Sequence, residues 1–264
     1  MTLKIVVLSD LHIVPEGQLS QGLDATERLR AGIAAINARH ADADFVAIAG
    51  DLADFGDRAS YLRLRETLAE LTLPCHITIG NHDDRPVFLE VFGAEQAAQT
   101  GFVDKVIDAK GYRIIMLDSA IEPGRDDGRL EAAQLAWLGE KLGEADDRPV
   151  IVVLHHHANP LRTAVDSIIL ENGAEFVEVL NRHPDIRQVI AGHVHYNSTA
   201  MWRGVPFTTL AGSHYNVTIP LGSPALRPTH LWGPAQMAVI LADPDHTLVH
   251  FDNYLDGNAY MTGD

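Results

Sequence analysis

The sequence predicts an α/β fold in which parallel strands deliver polar residues to one edge of a sheet. Short apolar runs (Leu3 to Leu8, Phe45 to Ala49, Tyr112 to Leu117, Pro149 to Leu154, Ile186 to Ala191) alternate with stretches whose apolar residues recur at helical spacing. Most of these runs stop at a glycine, an aspartate or a histidine. The stops are Asp10-Leu11-His12, Gly50-Asp51, Gly80-Asn81-His82-Asp83, His155-His156-His157 and Gly192-His193-Val194-His195. Strands of such a sheet bring their carboxyl ends to one edge, so residues dozens of positions apart converge there.

Composition narrows the partners. At 264 residues with 46% apolar content, the chain suits one main domain, 1–264, around a large core. Lys and Arg number 20 against 36 acids, a net charge of −16, so no nucleic-acid polymer is expected and a small-molecule substrate is. A single cysteine, Cys75, fits a reducing compartment. Leu3 to Leu8 is too short for a leader core, and no apolar run approaches the roughly 18 residues of a membrane span. The expectation is a cytoplasmic protein with no membrane contact.

Taken in order, Leu3 to Ser9 forms a buried strand. In extended backbone Asp10 and His12 point to the same side and suit chelation of one ion; a capping aspartate in a turn is the plainer alternative. Asp24 to His40 is a helix, with Asp24 or Thr26 near its start and Leu29, Ile33 and Ile36 on its inner face. Phe45 to Ala49 is the second strand, opening onto an acidic loop. Its strand-end carboxylate, Asp51, is the candidate ligand, whereas Asp54 and Asp57 are expected to cap a helix or face solvent. Ser60 to Leu71 is a helix, and His76 to Ile79 a strand that runs into Gly80-Asn81-His82-Asp83, good turn chemistry as well as a donor block.

Pro86 to Phe92 is a short helix, Phe102 to Val106 alternates like a strand, and Tyr112 to Leu117 is a strand ending at a structural Asp118. Glu131 to Leu142 and Gly173 to Arg182 are helices on either side of the very apolar strand Pro149 to Leu154; Ile186 to Ala191 is the next strand. Thr199 to Leu210 is a hairpin turning at Arg203-Gly204. Residues 212–235, with Pro220, Pro224, Pro228 and Pro234 among Tyr215, Leu226, Leu231 and Trp232, are too proline-rich for a helix and too apolar for a free linker. A lid, a subunit contact or an ordered surface loop all fit. Met237 to Leu241 and Thr247 to Phe251 form a closing antiparallel pair, and Asn258 to Asp264 a frayed tail.

Collected at one edge, these blocks supply aspartates, an asparagine and several histidines. Oxygen and imidazole donors without a thiolate suit Mn, Fe, Zn or Co, and they are numerous enough for two ions. The five blocks resemble, in order and rough spacing, those of the calcineurin-like metallophosphoesterase superfamily over residues 3 to 215. Within it the chain is similar to the bacterial class III cyclic-nucleotide phosphodiesterases and the glycerophosphodiesterases; Glu171-Asn172-Gly173 resembles the second branch.

The resemblance implies a four-layer α/β/β/α sandwich, to which the composition of 212–235 adds a small lid or dimerisation segment near the C-terminus. It implies two divalent or mixed-valence ions, one held by Asp10, His12, Asp51 and His195, the other by Asp51, Asn81, His155 and His193. Asp51 is then the bridge. The reaction implied is phosphodiester hydrolysis by in-line attack of a metal-bound hydroxide, on a cyclic nucleotide or a glycerophosphodiester. His82 would stabilise the pentacoordinate phosphorus or protonate the leaving alkoxide, and Asn81, His82 and His214 would touch substrate. His157 stands where the family has proline, an altered loop that also involves His156 and Asn159. A homo-oligomer is compatible with the family.

Phosphonate monoesters and phosphomonoesters are further substrates to weigh. A dinuclear amide hydrolase on a (β/α)₈ barrel would need eight similar units, whereas this chain finishes in antiparallel-looking strands. A non-catalytic scaffold would have lost donors, and here every donor position is filled.

Overall fold

Alternate residues of the first strand, β1 (Leu3–Leu8), serve two different cores. Leu3, Ile5 and Val7 pack with residues such as Ile114, Met116, Ile151 and Val153, whereas Val6 and Leu8 pack with Leu29, Ile33 and Ile36. This period of two is what a strand buried on both faces must show. The computed structural model describes residues 2–221 and 226–256.

The chain continues through α1 (Ala25–Arg39), β2 (Phe45–Ala49), α2 (Arg58–Leu68), β3 (Cys75–Thr78) and α3 (Arg85–Phe92). A second run follows: β4 (Lys105–Ala109), β5 (Tyr112–Leu117), α4 (Ala132–Gly143), β6 (Val150–Leu154), α5 (Gly173–Leu180) and β7 (Ile186–Ala191). Then come β8 (Ser198–Trp202), β9 (Val205–Thr209), a short ribbon of β10 (Asn216–Val217) and β11 (His230–Leu231), and the last hairpin, β12 (Ala235–Ala242) and β13 (Thr247–Leu255).

Among the described residues, one sheet has the order β13-β12-β1-β2-β3 and the other β4-β5-β6-β7-β9-β8. Both are mixed. β1, β2 and β3 run parallel, as do β5, β6, β7 and β9, with antiparallel strands at the edges. One core lies between the sheets, a second between the first sheet and α1 to α3, and a third between the second sheet and α4 and α5. The result is the expected α/β/β/α sandwich.

Local sequence explains where the elements start. Asp24 accepts the Thr26 and Glu27 N–H groups at 3.0 and 3.1 Å and caps α1. Asp57 accepts the Ser60 N–H at 3.0 Å, so α2 begins at Arg58 and not at Ser60, and ends at Leu68, short of Leu71. The strand expected at 102–106 lies instead at Lys105–Ala109. Val103 donates its N–H to the Asp118 carboxylate and the Asp104 carboxylate accepts the Asp118 N–H, which takes both residues out of the ladder. Arg203 and Gly204, both at positive φ, form the tight turn of the β8–β9 hairpin. Asp118 is structural: it accepts a two-pronged bond from Arg85 and the N–H groups of Val103 and Ala120. The frayed tail expected from Asn258 and the proline at 224 fall outside the described residues.

Candidate metal centre

The carboxyl ends of β1, β2, β3, β6 and β7 open on the same edge, and their loops interlock through the backbone. Asp10 N–H donates to Gly50 O at 3.1 Å, and Leu11 and His12 N–H both donate to Asp51 O at 2.8 and 3.0 Å. Gly50 sits at φ +89°, and a Cβ there would meet His155 Nδ1 at 2.7 Å and Gly80 N at 2.8 Å. Only glycine allows three loops to close this tightly.

Asp10 and His12 do not lie in extended backbone. Asp10 (φ 58°), His12 (47°), Asp51 (48°), His193 (72°) and His195 (53°) are all left-handed, five of the ten non-glycine residues with positive φ among those described. The chain turns sharply after each strand and aims these side chains inward, a conformation that burial and the interlocked loops impose.

Seven donors converge. Asp51 Oδ2 is 3.3 Å from His155 Nε2 and 3.7 Å from His12 Nε2; Asp10 Oδ1 is 3.3 Å from His195 Nε2; Asn81 Oδ1 is 3.0 Å from His155 Nε2. Four imidazoles give their outer N–H to oxygen. His12 Nδ1 donates to Asp54 Oδ1 (2.9 Å), His155 Nδ1 to Ala49 O (2.8 Å), His193 Nε2 to Ile168 O (3.0 Å) and His195 Nδ1 to Tyr215 O (2.8 Å). A neutral imidazole carries one N–H, so wherever the ring is neutral and its outer nitrogen donates, the inner nitrogen is a lone pair. Two pairs of inner nitrogens face each other at 3.2 Å, His12 Nε2 with His195 Nε2 and His155 Nε2 with His193 Nδ1. Two neutral rings cannot hydrogen-bond through these nitrogens; a proton on one ring, or a metal cation that displaces it, satisfies each pair. The donor set therefore fits two divalent ions.

Charge at the centre follows from burial and proximity. Burial opposes ionisation of Asp51, but His155, His82 and His12 outweigh it and hold the carboxyl well below the usual range. Burial also works against a charge on His155, yet Asp51 pushes it up to about 9, so a cation binding at this nitrogen displaces a proton. Burial, then the neighbouring His156 and His155, keep His193 neutral, and burial does the same for His195.

Two carboxylates beyond the seven donors shape the site. Asp54, expected to cap or to face solvent, instead orients His12 through its carboxylate and His82 through its carbonyl, which accepts His82 Nδ1–H at 2.8 Å. Its distance from the strand end hid this, since the chain must turn back to bring it under His12. Asp83 accepts the N–H groups of Leu52, Ala53 and Gly80 and the Tyr61 hydroxyl, tying two loops together; burial and Asp51 push it up to about 6. The acid after Asn81-His82 was the sequence signal that could have found it.

A cavity of about 280 Å³ opens over the donors. Asp51, Asn81, His82, His193 and His195 give its lining polar groups, and Val165, Ile168, Val194, Val217, Tyr215 and His230 give it apolar and aromatic surface. His214 is not at this surface. It is 1% exposed, bonded through Nε2 to Ser20 O at 3.1 Å, with its ring 6.2 Å from that of His12. The next residue, Tyr215, takes the place at the wall, because the backbone there offers the Tyr215 carbonyl to His195. His156 is fully buried against Ser119, with Nδ1 2.8 Å from Ser119 Oγ, and neither His157 nor Asn159 lines the cavity.

Calcineurin-like phosphoesterases match residues 3–197. The chain belongs to that family. It is 34% identical over 99% of its length to 97% of a Rhodopseudomonas palustris protein named "Probable cyclic nucleotide phosphodiesterase". It is 29% identical over 82% of its length to 81% of an Arcobacter nitrofigilis "Probable glycerophosphodiester phosphodiesterase". In fold it is similar to a dimetal phosphatase from Danio rerio, with a TM-score of 0.71, 18% identity and coverage of 96% and 97% of the two chains. As a calcineurin-like phosphoesterase it is a metal-dependent hydrolase of phosphodiester-type substrates with a dinuclear site. No helix among its described residues is long and apolar enough to cross a membrane.

Proposed function

We propose that this phosphodiesterase hydrolyses a cyclic nucleotide. The observation that carries the reading is a cavity whose lining joins Asp51 and the clustered imidazoles to apolar and aromatic residues. The closer relative named above, by identity, also bears a cyclic-nucleotide name.

Asp10, His12, Asp51 and His195 would hold one ion, and Asp51, Asn81, His155 and His193 the other, with Asp51 shared between them. Bound there, divalent ions offset phosphate charge and lower the pKa of water toward about 7. Oxygen and imidazole donors suit Mn, Fe, Zn or Co.

The protein supplies orientation and a proton. Asp54 and the carbonyls of Ala49, Ile168 and Tyr215 fix the four rings, so the donors need no reorganisation. His82 lies at the polar rim with Nδ1 tied to the Asp54 carbonyl, which leaves Nε2 to act on the substrate. Burial opposes a charge on His82, but Asp51 and Asp54 outweigh it and raise its pKa. A protonated His82 Nε2 can donate to the leaving 3′-alkoxide. Asn81 contributes its neutral carbonyl oxygen, which keeps the site open to an anion.

The protein is proposed to work in the cytoplasm. Exposed Ile219, Leu221, Leu226, Leu231 and Trp232 on the 212–235 segment support a subunit contact on its outer face, which light scattering would detect. Substrate class is tested with protein loaded with Mn, Zn or Co on cyclic AMP, glycerophosphoethanolamine, bis-p-nitrophenyl phosphate and p-nitrophenyl phosphate. Diesters are expected to exceed the monoester, and cyclic AMP to exceed glycerophosphoethanolamine. A preference for glycerophosphoethanolamine would move the enzyme to the other branch, and monoester preference would sink the diesterase reading.

A further inference from the structure

A substrate whose phosphate sits at Asp51, Asn81 and His82 meets the rest of the cavity lining with its other end. Much of that lining is apolar or aromatic, with Val165, Ile168, Val194, Val217, Tyr215 and His230. A polyol gains little there; a flat heterocycle buries apolar ring surface. At about 280 Å³ the cavity suits a single nucleotide and not a polymer. The exposed carboxylate of Asp126 at the rim makes no bond or ion pair with another described residue, which suits a sugar hydroxyl and repels a second phosphate.

The two rings are held for a purpose the metal centre does not explain. Tyr215 stacks one face on His195, with centroids 4.1 Å apart and planes at 27°, so it is a fixed platform. His230 is exposed, yet it is not loose. Its Nδ1–H is directed to Gln21 Oε1 at 3.2 Å, and its strand is pinned to the same loop by Trp232 Nε1–H donating to Gln21 O at 3.1 Å. Arg28 adds a bond to Trp232 O at 2.8 Å, and Val217 pairs with His230 across the ribbon. The Tyr215 and His230 rings are in tilted contact, with centroids 5.1 Å apart and planes at 57°, and both line the cavity.

We infer that the β10–β11 ribbon reads the base of the substrate, with the exposed ring of His230 stacking on the heterocycle. This rests on the phosphodiesterase reading above. It assigns to His230 the selectivity between nucleotide and non-nucleotide diesters, through contacts made equally in ground and transition states. Such contacts alter KM more than kcat.

The test uses metal-loaded wild type, His230→Ala and His230→Phe, with kcat and KM measured on cyclic AMP and on glycerophosphoethanolamine. Base stacking on an aromatic side chain is worth roughly 5- to 150-fold in binding. For His230→Ala we expect KM for cyclic AMP to rise about tenfold or more, and the ratio of kcat/KM for cyclic AMP over glycerophosphoethanolamine to fall by the same factor. His230→Phe, which keeps a ring face, is expected to recover most of that ratio. An unchanged ratio in His230→Ala, or a His230→Phe no better than alanine, overturns the inference while leaving the diesterase reading intact. Wild type that turns over neither diester overturns the reading itself, and the inference with it.

Discussion

Gly80→Ala is the sharpest probe of how tightly the loops close over Asp51. A Cβ at Gly80 would meet Asp51 N at 2.6 Å and His155 Cδ2 at 2.7 Å, and would come nearer still to Asp51 Oδ1. Ordinary contact begins at 3.4 Å, so the neighbours must retreat by roughly 1 Å; two of the three atoms belong to Asp51, the shared donor of the proposed centre. Gly80 has no positive φ, so the effect is steric and not conformational. Overpacking of this kind costs about 1–3 kcal/mol, and in a chain of this size each kcal/mol lowers Tm by about 2–4 °C. A 1 Å misplacement of a reacting group costs on the order of 10²-fold in rate. The assay is kcat/KM on bis-p-nitrophenyl phosphate with bound metal measured in the same samples, beside a melting curve. Gly143→Ala is the control, since a Cβ there meets nothing within 4 Å and the site is helical. Turnover of Gly80→Ala within about threefold of wild type would refute the close-approach argument.

Other perturbations test separate parts. Asp54→Ala deletes the acceptor of His12 Nδ1–H but leaves the carbonyl that holds His82; metal affinity or turnover should fall roughly 10- to 100-fold, and unchanged values would show that His12 needs no orienting partner. His82→Ala should retain bound metal and lose about 10²-fold or more on a poor leaving group but less on a nitrophenyl diester; equal losses would exclude proton donation. Asp51→Ala should lose both ions by elemental analysis, and retention of two would disprove the shared position. Lys105 concerns stability: burial presses its pKa down to about 8 from the ordinary 10.5, with Nζ donating to Gln96 Oε1 at 2.9 Å. Between those values the unfolded chain binds more protons, so wild-type stability rises with pH across about 8 to 10.5. Lys105→Met should therefore gain relative stability at pH 7, with the gap closing as pH rises through that window in urea melts; a gap independent of pH would contradict the assignment.

The sequence made the sandwich and the donor blocks legible because each block follows an apolar run, and strand ends in an α/β sheet meet by construction. What local pattern cannot show is how the chain turns after the strand. Asp10 and His12 look like an extended pair but sit in left-handed backbone, because the interlock with Gly50 and Asp51 bends the loop. Asp54 lies three residues past Asp51 in a stretch without periodicity, so only the fold shows that it lies against His12. Likewise the exchange of His214 for Tyr215 at the cavity goes with a bond from the His195 side chain to the Tyr215 carbonyl. His230 had no local signal, since its position follows from a ribbon held by residues 21 and 28 some two hundred positions earlier.

The left-handed backbone at five donors carries a further consequence. Each such residue costs about 1 kcal/mol or more, against a net stability of roughly 5–15 kcal/mol for a whole domain. The centre is thus a standing load on the scaffold, borne by the same loops that hold the donors rigid. A library of variants screened for heat resistance alone would drift toward glycine or asparagine at Asp10, His12, Asp51, His193 and His195. The hardiest survivors would keep the sandwich and lose the chemistry, so a screen on this chain has to score turnover and melting together.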